Sequence, residues 1–420
     1  MHKVVAEIVR IVYNILYSEG FKERNRMQNK DFTRNRKLKF HELCILIIKG
    51  AKRGTQASIN AFLSEISKSV QEYSKAAFCK ARQKIKPEAF KELFEVTAVH
   101  FYTNKFKKYR GYRVCAIDGS DLNLPNTKEL LEHFGSENYN NRVQTQAQIS
   151  CLYDVLNHVT LDAYIEPYKT NERKLALAHL DYLNEHRTEN ELLLMDRGYP
   201  SEELLLAMEK NKFKYVMRSN KDNFFREIKA VKSHDEIITR KCKDGNVLTI
   251  RVVTVMLSDN KSETLITNIM DESFSNDEFR EIYHMRWGIE TRYNDLKNKF
   301  QLENFSGVSP LCIMQDFFAT LFLSNLLAYI ELDCEKELEE INSSDERQYQ
   351  YKINTMLAIS TLKDNVIQLL ITDSKFKQLR LLSKIQSRLL KCLTPVRHNR
   401  SFPRAIKHYA LRFSHNLKNP

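Results

Sequence analysis

Two short segments of this chain end in the same way. RVCAID (113–118) and ELLLMD (191–196) are nearly unbroken apolar runs, and each closes on an aspartate. A run of that length without alternation is the pattern of a strand buried on both faces. Such strands need helices over the sheet, so the chain is committed to an α/β domain of some size. Functional groups of open α/β sheets gather at the carboxyl ends of the strands. Asp118, at the end of the first strand, and Asp196, at the end of the fourth, are therefore expected to converge.

The segments around these two runs alternate in texture. TQAQISCLYDV and HVTLDAYI have strand-like composition and are separated by the turn-like pair Leu156-Asn157. NERKLALAHLDYLNEH is an amphipathic helix, SEELLLAMEKN is a helix with Ser201 placed to cap it, and KYVMR is a strand. From about 223 to 270 the composition turns β-rich, and NDEFREIYHMRWGIETRYNDLKNKF (276–300) then reads as one long helix. Only 10 Gly and 8 Pro occur in 420 residues, which favours helices over tight hairpins. Residues 1–108 read as helices throughout, with Lys75, Lys80, Arg82, Lys84 and Lys86 interleaved among apolar positions, and Pro87 permits a fresh helix to begin. Three segments follow: a basic helical domain (1–108), a catalytic α/β domain (109–345) and a helical C-terminal region with a basic tail (346–420).

A third acid, Glu290, lies on the long helix. Tyr283, Arg286, Glu290 and Lys297 are offset by 0, 3, 7 and 14 residues. At 3.6 residues per turn they fall in one stripe about 60° wide, beside an apolar stripe of Ile282, Met285, Ile289, Leu296 and Phe300. Three carboxylates around one point suit a hard divalent cation, Mg²⁺ or Mn²⁺. Two such ions can activate an attacking oxygen and stabilise a leaving one on a phosphodiester. Gly119, Gly198 and Gly288 each lie within two residues of one of the acids, and mark points of close approach by backbone or DNA.

The charge is unevenly spread. Residues 1–110 carry 24 Lys/Arg against 10 Asp/Glu, and residues 374–420 carry 12 basic residues and no acid. The overall +13 thus conceals two basic ends around an acidic centre. Basic ends are the footprint of a polyanionic partner, double-stranded DNA above all. The apolar start of the chain is broken by Glu7 and Arg10 and reads as an amphipathic helix, not a signal peptide. Phe317–Ile330, the most apolar stretch, is too short to span a bilayer. Eight scattered cysteines without a CxxC pair exclude a zinc ribbon or a disulfide framework and indicate reduced thiols in a cytoplasmic protein. GxxxxGK[ST], GxGxxG and HExxH are all missing, which removes NTPases, dinucleotide enzymes and zincins. The three-residue step from Asp118 to Asp121 is not the DxD spacing of an aspartyl phosphotransferase.

The helix YHMRWGIETRYNDLK resembles the Tyr-x2-Arg-x3-Glu-x6-Lys signature of DDE transposases of the insertion-sequence-4 type. IDGS around Asp118 and MDRGYP around Asp196 look like the family's two catalytic aspartates, and LITNI and ENFSGVSPLCIMQDFFATLFLSNL resemble the stretches flanking its glutamate. SKAAFCKARQKIKPEAF and RHNRSFPRAIKHY resemble the family's N-terminal region and basic tail. The resemblance implies a ribonuclease-H-like mixed sheet with the β-rich insertion placed before the last catalytic helix. It also implies that Asp118, Asp196 and Glu290 bind two divalent cations, and that Tyr283, Arg286 and Lys297 hold the phosphates of the element's end. The reaction would be hydrolysis at the terminal inverted repeats followed by attack of the released 3′-hydroxyl on target DNA. A homodimer would form on DNA, with the protein nucleoid-associated when bound. Some relatives stack a flipped base on a tryptophan of the insertion. Here the single tryptophan, Trp287, lies on the catalytic helix, leaving Phe224 or Phe225 as substitutes. Two alternatives keep the fold and change the role: a stand-alone metal-dependent nuclease, and a catalytically idle DNA-binding protein derived from a transposase.

Overall fold

The computed structural model describes residues 3–34, 37–50, 54–66, 73–103, 106–139, 142–187, 189–219, 225–256, 262–343 and 349–397. Almost all of the basic tail RHNRSFPRAIKHY lies outside them, as does Phe224. Six helices open the chain: α1 (Lys3–Leu16), α2 (Glu19–Asn25), α3 (Phe40–Lys49), α4 (Thr55–Ile66), α5 (Lys75–Arg82) and α6 (Glu88–Phe101). Then come β1 (Tyr112–Asn123), α7 (Lys128–Phe134), β2 (Ser136–Tyr139), β3 (Arg142–Asp154), β4 (Val159–Pro167), α8 (Glu172–Glu185), β5 (Asn190–Met195), α9 (Glu202–Lys210) and β6 (Lys214–Ser219). The β-rich stretch contains α10 (Arg226–Ala230), β7 (Asp235–Lys241), β8 (Val247–Met256) and β9 (Ser262–Thr267). After it follow α11 (Asn276–Met285), α12 (Trp287–Asn294), a π-helical turn (Asp295–Lys299), α13 (Pro310–Asn342), β10 (Tyr351–Ile353), α14 (Thr355–Ile371), α15 (Lys375–Lys391) and β11 (Leu393–Pro395). The chain divides into two compact units. One comprises Met1–Asn104, Asn123–Gln146 and Asp295–Pro420, and the other Lys105–Leu122 and Ala147–Asn294.

The large sheet is ordered β2-β3-β1-β5-β6-β9-β8-β7, with β4 also paired to β3. β1, β5 and β6 run parallel, and their inner residues Val114–Ile117, Leu192–Met195 and Tyr215–Met217 are fully buried, as unbroken apolar runs require. β3 and β4 form an antiparallel hairpin. Its turn is closed by Asp154, whose carboxylate accepts the Leu156 and Asn157 N–H groups, with His158 in the left-handed region at φ 60°. This is the ribonuclease-H-like arrangement. The β-rich insertion is not a separate body: β9 pairs antiparallel with β6, and β8 and β7 continue the same sheet outward. Ser201 caps α9 by accepting the Leu204 N–H, as its position foretold. Ser275 and Glu278 form a reciprocal capping box at the start of α11.

The first unit is built on α13. The apolar stretch Phe317–Ile330 belongs to this 33-residue helix, which is long and apolar enough to cross a membrane by length and composition alone; 83% of its most apolar window is buried inside the protein. Tyr329 packs edge-on against Phe101 of α6 and donates to the Thr97 carbonyl at 2.9 Å. Each such aromatic burial stabilises by roughly 1.5–3 kcal/mol. Arg82 corrects one sequence expectation. It does not line a basic surface with its lysine neighbours. It is 3% exposed, pairs with Asp316 at 2.9 Å, and donates to Gln315, Ser306 and the Cys312 carbonyl. Lys84 is likewise engaged, by Asp31 at 2.7 Å. All eight cysteines are free; five are buried, but Cys79 and Cys392 are exposed rather than packed.

Candidate active site

Asp118 and Asp196 reach one point because of register. Parallel β1 and β5 pair Ala116 with Leu194, and each aspartate lies two residues beyond its partner of that pair. Adjacent strands are about 4.8 Å apart, so the two side chains stand level at the carboxyl end. Asp196 directly follows β5, as expected, but Asp118 does not end β1, which runs on to Asn123. Its carboxylate accepts the Gly119 N–H at 3.0 Å, and Asp196 accepts the Gly198 N–H at 2.7 Å.

The Asp118 side chain is 19% exposed. Burial, and then the neighbouring Asp196, push its pKa up to about 7, against the opposing pull of the Gly119 N–H and Arg286. A fourth acid contributes to that repulsion. Glu172, in the first turn of α8, is half-buried, accepts from Gln148 at 3.0 Å, and is itself raised by burial and by Asp196 and Asp121. Gly119 makes room for it, since a Cβ at that position would come within 2.5 Å of Glu172 Oε1. Tyr199 completes the surroundings. It is fully buried, its hydroxyl has no hydrogen-bond partner among the described residues, and burial together with Asp118, Glu172 and Asp196 raises its pKa well above the ordinary value.

The helix carrying Glu290 is not continuous. It is interrupted at Arg286 between α11 and α12, and gives way to a π-helical turn after Asn294. Arg286 Nη2 donates to Glu290 Oε1 at 2.9 Å, and Nη1 lies 4.0 Å from Asp118 Oδ2. The guanidinium stands 5.5 Å from the Tyr283 ring centre and 5.4 Å from that of Trp287. Its Nε is buried without a partner among the described residues. Tyr283 is 6% exposed, and burial raises its pKa to about 12. Tyr283, Arg286 and Glu290 therefore form one cluster. Lys297 lies in the π turn, where i→i+5 bonds such as Phe300 N–H to Asp295 O replace the α-helical step. Of the apolar stripe, Ile282, Ile289, Leu296 and Phe300 are buried, and Met285 is half-buried. Gly288 faces Val155: a Cβ added at Gly288 would stand 3.3 Å from the valine side chain, so the close approach there is to protein. In the insertion, Phe225 is buried beneath Arg240, 4.1 Å from its ring centre.

The donors are carboxylate oxygens only, which suits Mg²⁺ or Mn²⁺ over softer metals. Mutual repulsion at Asp118, Asp196 and Glu172 is what a cation would relieve. Among the described residues, no three His, Cys, Asp or Glu side chains stand close enough to hold an ion without adjustment. Glu172 and Tyr199 were not legible beforehand: an acid in a first helical turn reads as a dipole partner, and a tyrosine in an apolar setting reads as core. The one available signal for Glu172 was Gly119.

Residues 109–326 match the family described as "Transposase DDE domain", and the chain belongs to that family of DNA transposases. Within it the chain is of the insertion-sequence-4 type. It is 26% identical over 354 residues to "Transposase InsG for insertion sequence element IS4" of Escherichia coli (strain K12), covering 79% of this chain and 76% of that protein. It is 29% identical over 140 residues to "Putative transposase InsZ" of the same organism, covering 32% and 46%. A solved structure of the piggyBac transposase synaptic complex with hairpin DNA aligns over 90% of this chain and 85% of its own, at 12% identity and a TM-score of 0.47.

Proposed function

We propose that this transposase cleaves the ends of its mobile element and joins the released 3′-hydroxyl to target DNA by phosphodiester hydrolysis and transesterification. The observation that carries this reading is the level placement of Asp118 and Asp196 on adjacent parallel strands, with Arg286 spanning from Asp118 to Glu290. Asp118, Asp196 and Glu290 would hold two divalent cations, Mg²⁺ or Mn²⁺. When bound, the pair supplies activation of the attacking oxygen and charge neutralisation at the leaving oxygen.

The chain's own residues have separate tasks. Arg286, with one terminal nitrogen on Glu290 and the other 4.0 Å from Asp118, would offer its terminal nitrogens to a phosphate oxygen. Tyr283 orients it through its ring. Lys297 contributes a further cation toward the backbone of the element's end. Residues 1–108 and the basic tail of 346–420 are assigned to binding the terminal inverted repeats and target DNA, around the catalytic segment 109–345, in a homodimer on DNA. The setting is cytoplasmic, with the protein on the nucleoid when engaged.

The test incubates the purified protein with Mg²⁺, DNA carrying the inverted-repeat ends of its own locus, and a supercoiled target. Cleavage at the ends with joined product is expected. Cleavage without end specificity or joining would replace this reading with a stand-alone nuclease, and no cleavage at all with that of an idle DNA-binding protein.

A further inference from the structure

The carbonyl of Asp118 is held by a residue outside the signature. Tyr293, one turn beyond Glu290 on α12, donates its hydroxyl to the Asp118 carbonyl oxygen at 2.6 Å. The ring is 5% exposed. The hydroxyl's single proton goes to that carbonyl. A second buried hydroxyl approaches the same carbonyl: Ser150 Oγ lies 3.4 Å away. Ser150 is anchored in turn, 3.0 Å from His179 Nε2, and His179 Nδ1 is 2.7 Å from Asp162. This series has the residue types of a hydrolytic triad, but Ser150 and His179 are fully buried and Asp162 is 2% exposed, so none of them can meet a substrate.

We infer that Tyr293 is a positioning residue that fixes the helix bearing Glu290 to the strand bearing Asp118, and so sets the spacing of the two carboxylates. The inference rests on the proposed two-cation reading. The same helix has a second anchor, Arg292 on Thr160 of β4 at 3.2 Å. That anchor ties α12 to β4, whereas the Tyr293 bond ends on the backbone of a candidate ligand. A hydroxyl so placed acts on cation binding rather than on DNA affinity.

The experiment compares Tyr293→Phe and Thr160→Val with the wild-type protein, measuring end cleavage across a Mg²⁺ titration, end-DNA affinity in Ca²⁺, and thermal melting. Y293F should need about 10-fold more Mg²⁺ for half-maximal cleavage, the scale seen when an outer partner of a ligand is removed. Its DNA affinity should stay within about twofold of wild type, as expected for a group that contacts no phosphate. T160V should keep the wild-type Mg²⁺ requirement. An unshifted requirement in Y293F, an equal shift in T160V, or a Y293F protein that fails to fold would each overturn the inference. Asp118→Asn runs alongside: retained cleavage there removes the two-cation reading itself, whatever Y293F does.

Discussion

Arg286 donates to Glu290 Oε1 at 2.9 Å, one helical turn away, while its other terminal nitrogen lies 4.0 Å from Asp118. In the absence of cations the guanidinium is thus the counter-charge of two candidate ligands. Replacing it by alanine removes both that charge and the proposed phosphate donor. Arg286→Ala should lower end cleavage on the order of 100-fold, the effect of deleting one preorganised donor at a reacting centre. Arg286→Lys should recover little, because a point charge cannot reproduce the planar fork. Single-turnover cleavage of labelled element ends reads both; near-wild-type rates in R286K would show that only charge matters.

The Asp118 carboxyl, pushed up to about 7 by burial and Asp196, gives a pH dependence of known sign. Cations bind the ionised form, so binding must displace a proton wherever pH lies below that value. Mg²⁺ affinity should rise as pH climbs to about 7 and level off above it, and should fall about fivefold between pH 7 and pH 6. Calorimetric titration in buffers of different ionisation enthalpy measures the released proton directly. Affinity that is flat from pH 6 to 8 would contradict the assignment of that value to Asp118.

Gly119 is fixed by space, not by backbone conformation. Gly119→Ala drives a methyl toward Glu172 Oε1, 2.5 Å from where the Cβ would stand. Glu172 Oε1 is the far end of a flexible side chain that can swing aside, so the expected stability cost is below about 1 kcal/mol, together with a loss of cleavage that a chemical melt corrected for folding does not explain. Combining it with Glu172→Ala, which vacates the space, should restore the melting midpoint but not the cleavage.

Arg82 belongs to the scaffold. Arg82→Ala leaves Asp316 buried without its partner, a change that costs about 3–5 kcal/mol. A lowered denaturation midpoint is expected; an unchanged midpoint with weakened DNA binding would return Arg82 to the role its spacing first suggested.

The legible parts of this protein were those governed by one local rule. Unbroken apolar runs at 113–118 and 191–196 announced central strands, because nothing else buries both faces of so short a segment. The 3.6-residue stripe grouped Tyr283, Arg286 and Glu290, which are in contact along the chain, and at Lys297 the chain changes to π-helical spacing that the sequence does not announce. Arg82 was misplaced because helical periodicity around it does not reveal the buried Asp316, more than two hundred residues away. Glu172 and Tyr199 are brought to Asp118 by sheet and helix packing alone, a tertiary event with no local signature.

The most direct test of the central claim is end cleavage by Glu290→Gln in Mg²⁺, with the wild-type protein and Asp118→Asn beside it on the same inverted-repeat DNA. The side chain keeps its size, and only its charge as a ligand is lost. Cleavage should drop to background in both variants while end-DNA binding persists. Cleavage by E290Q at the wild-type rate would contradict the account.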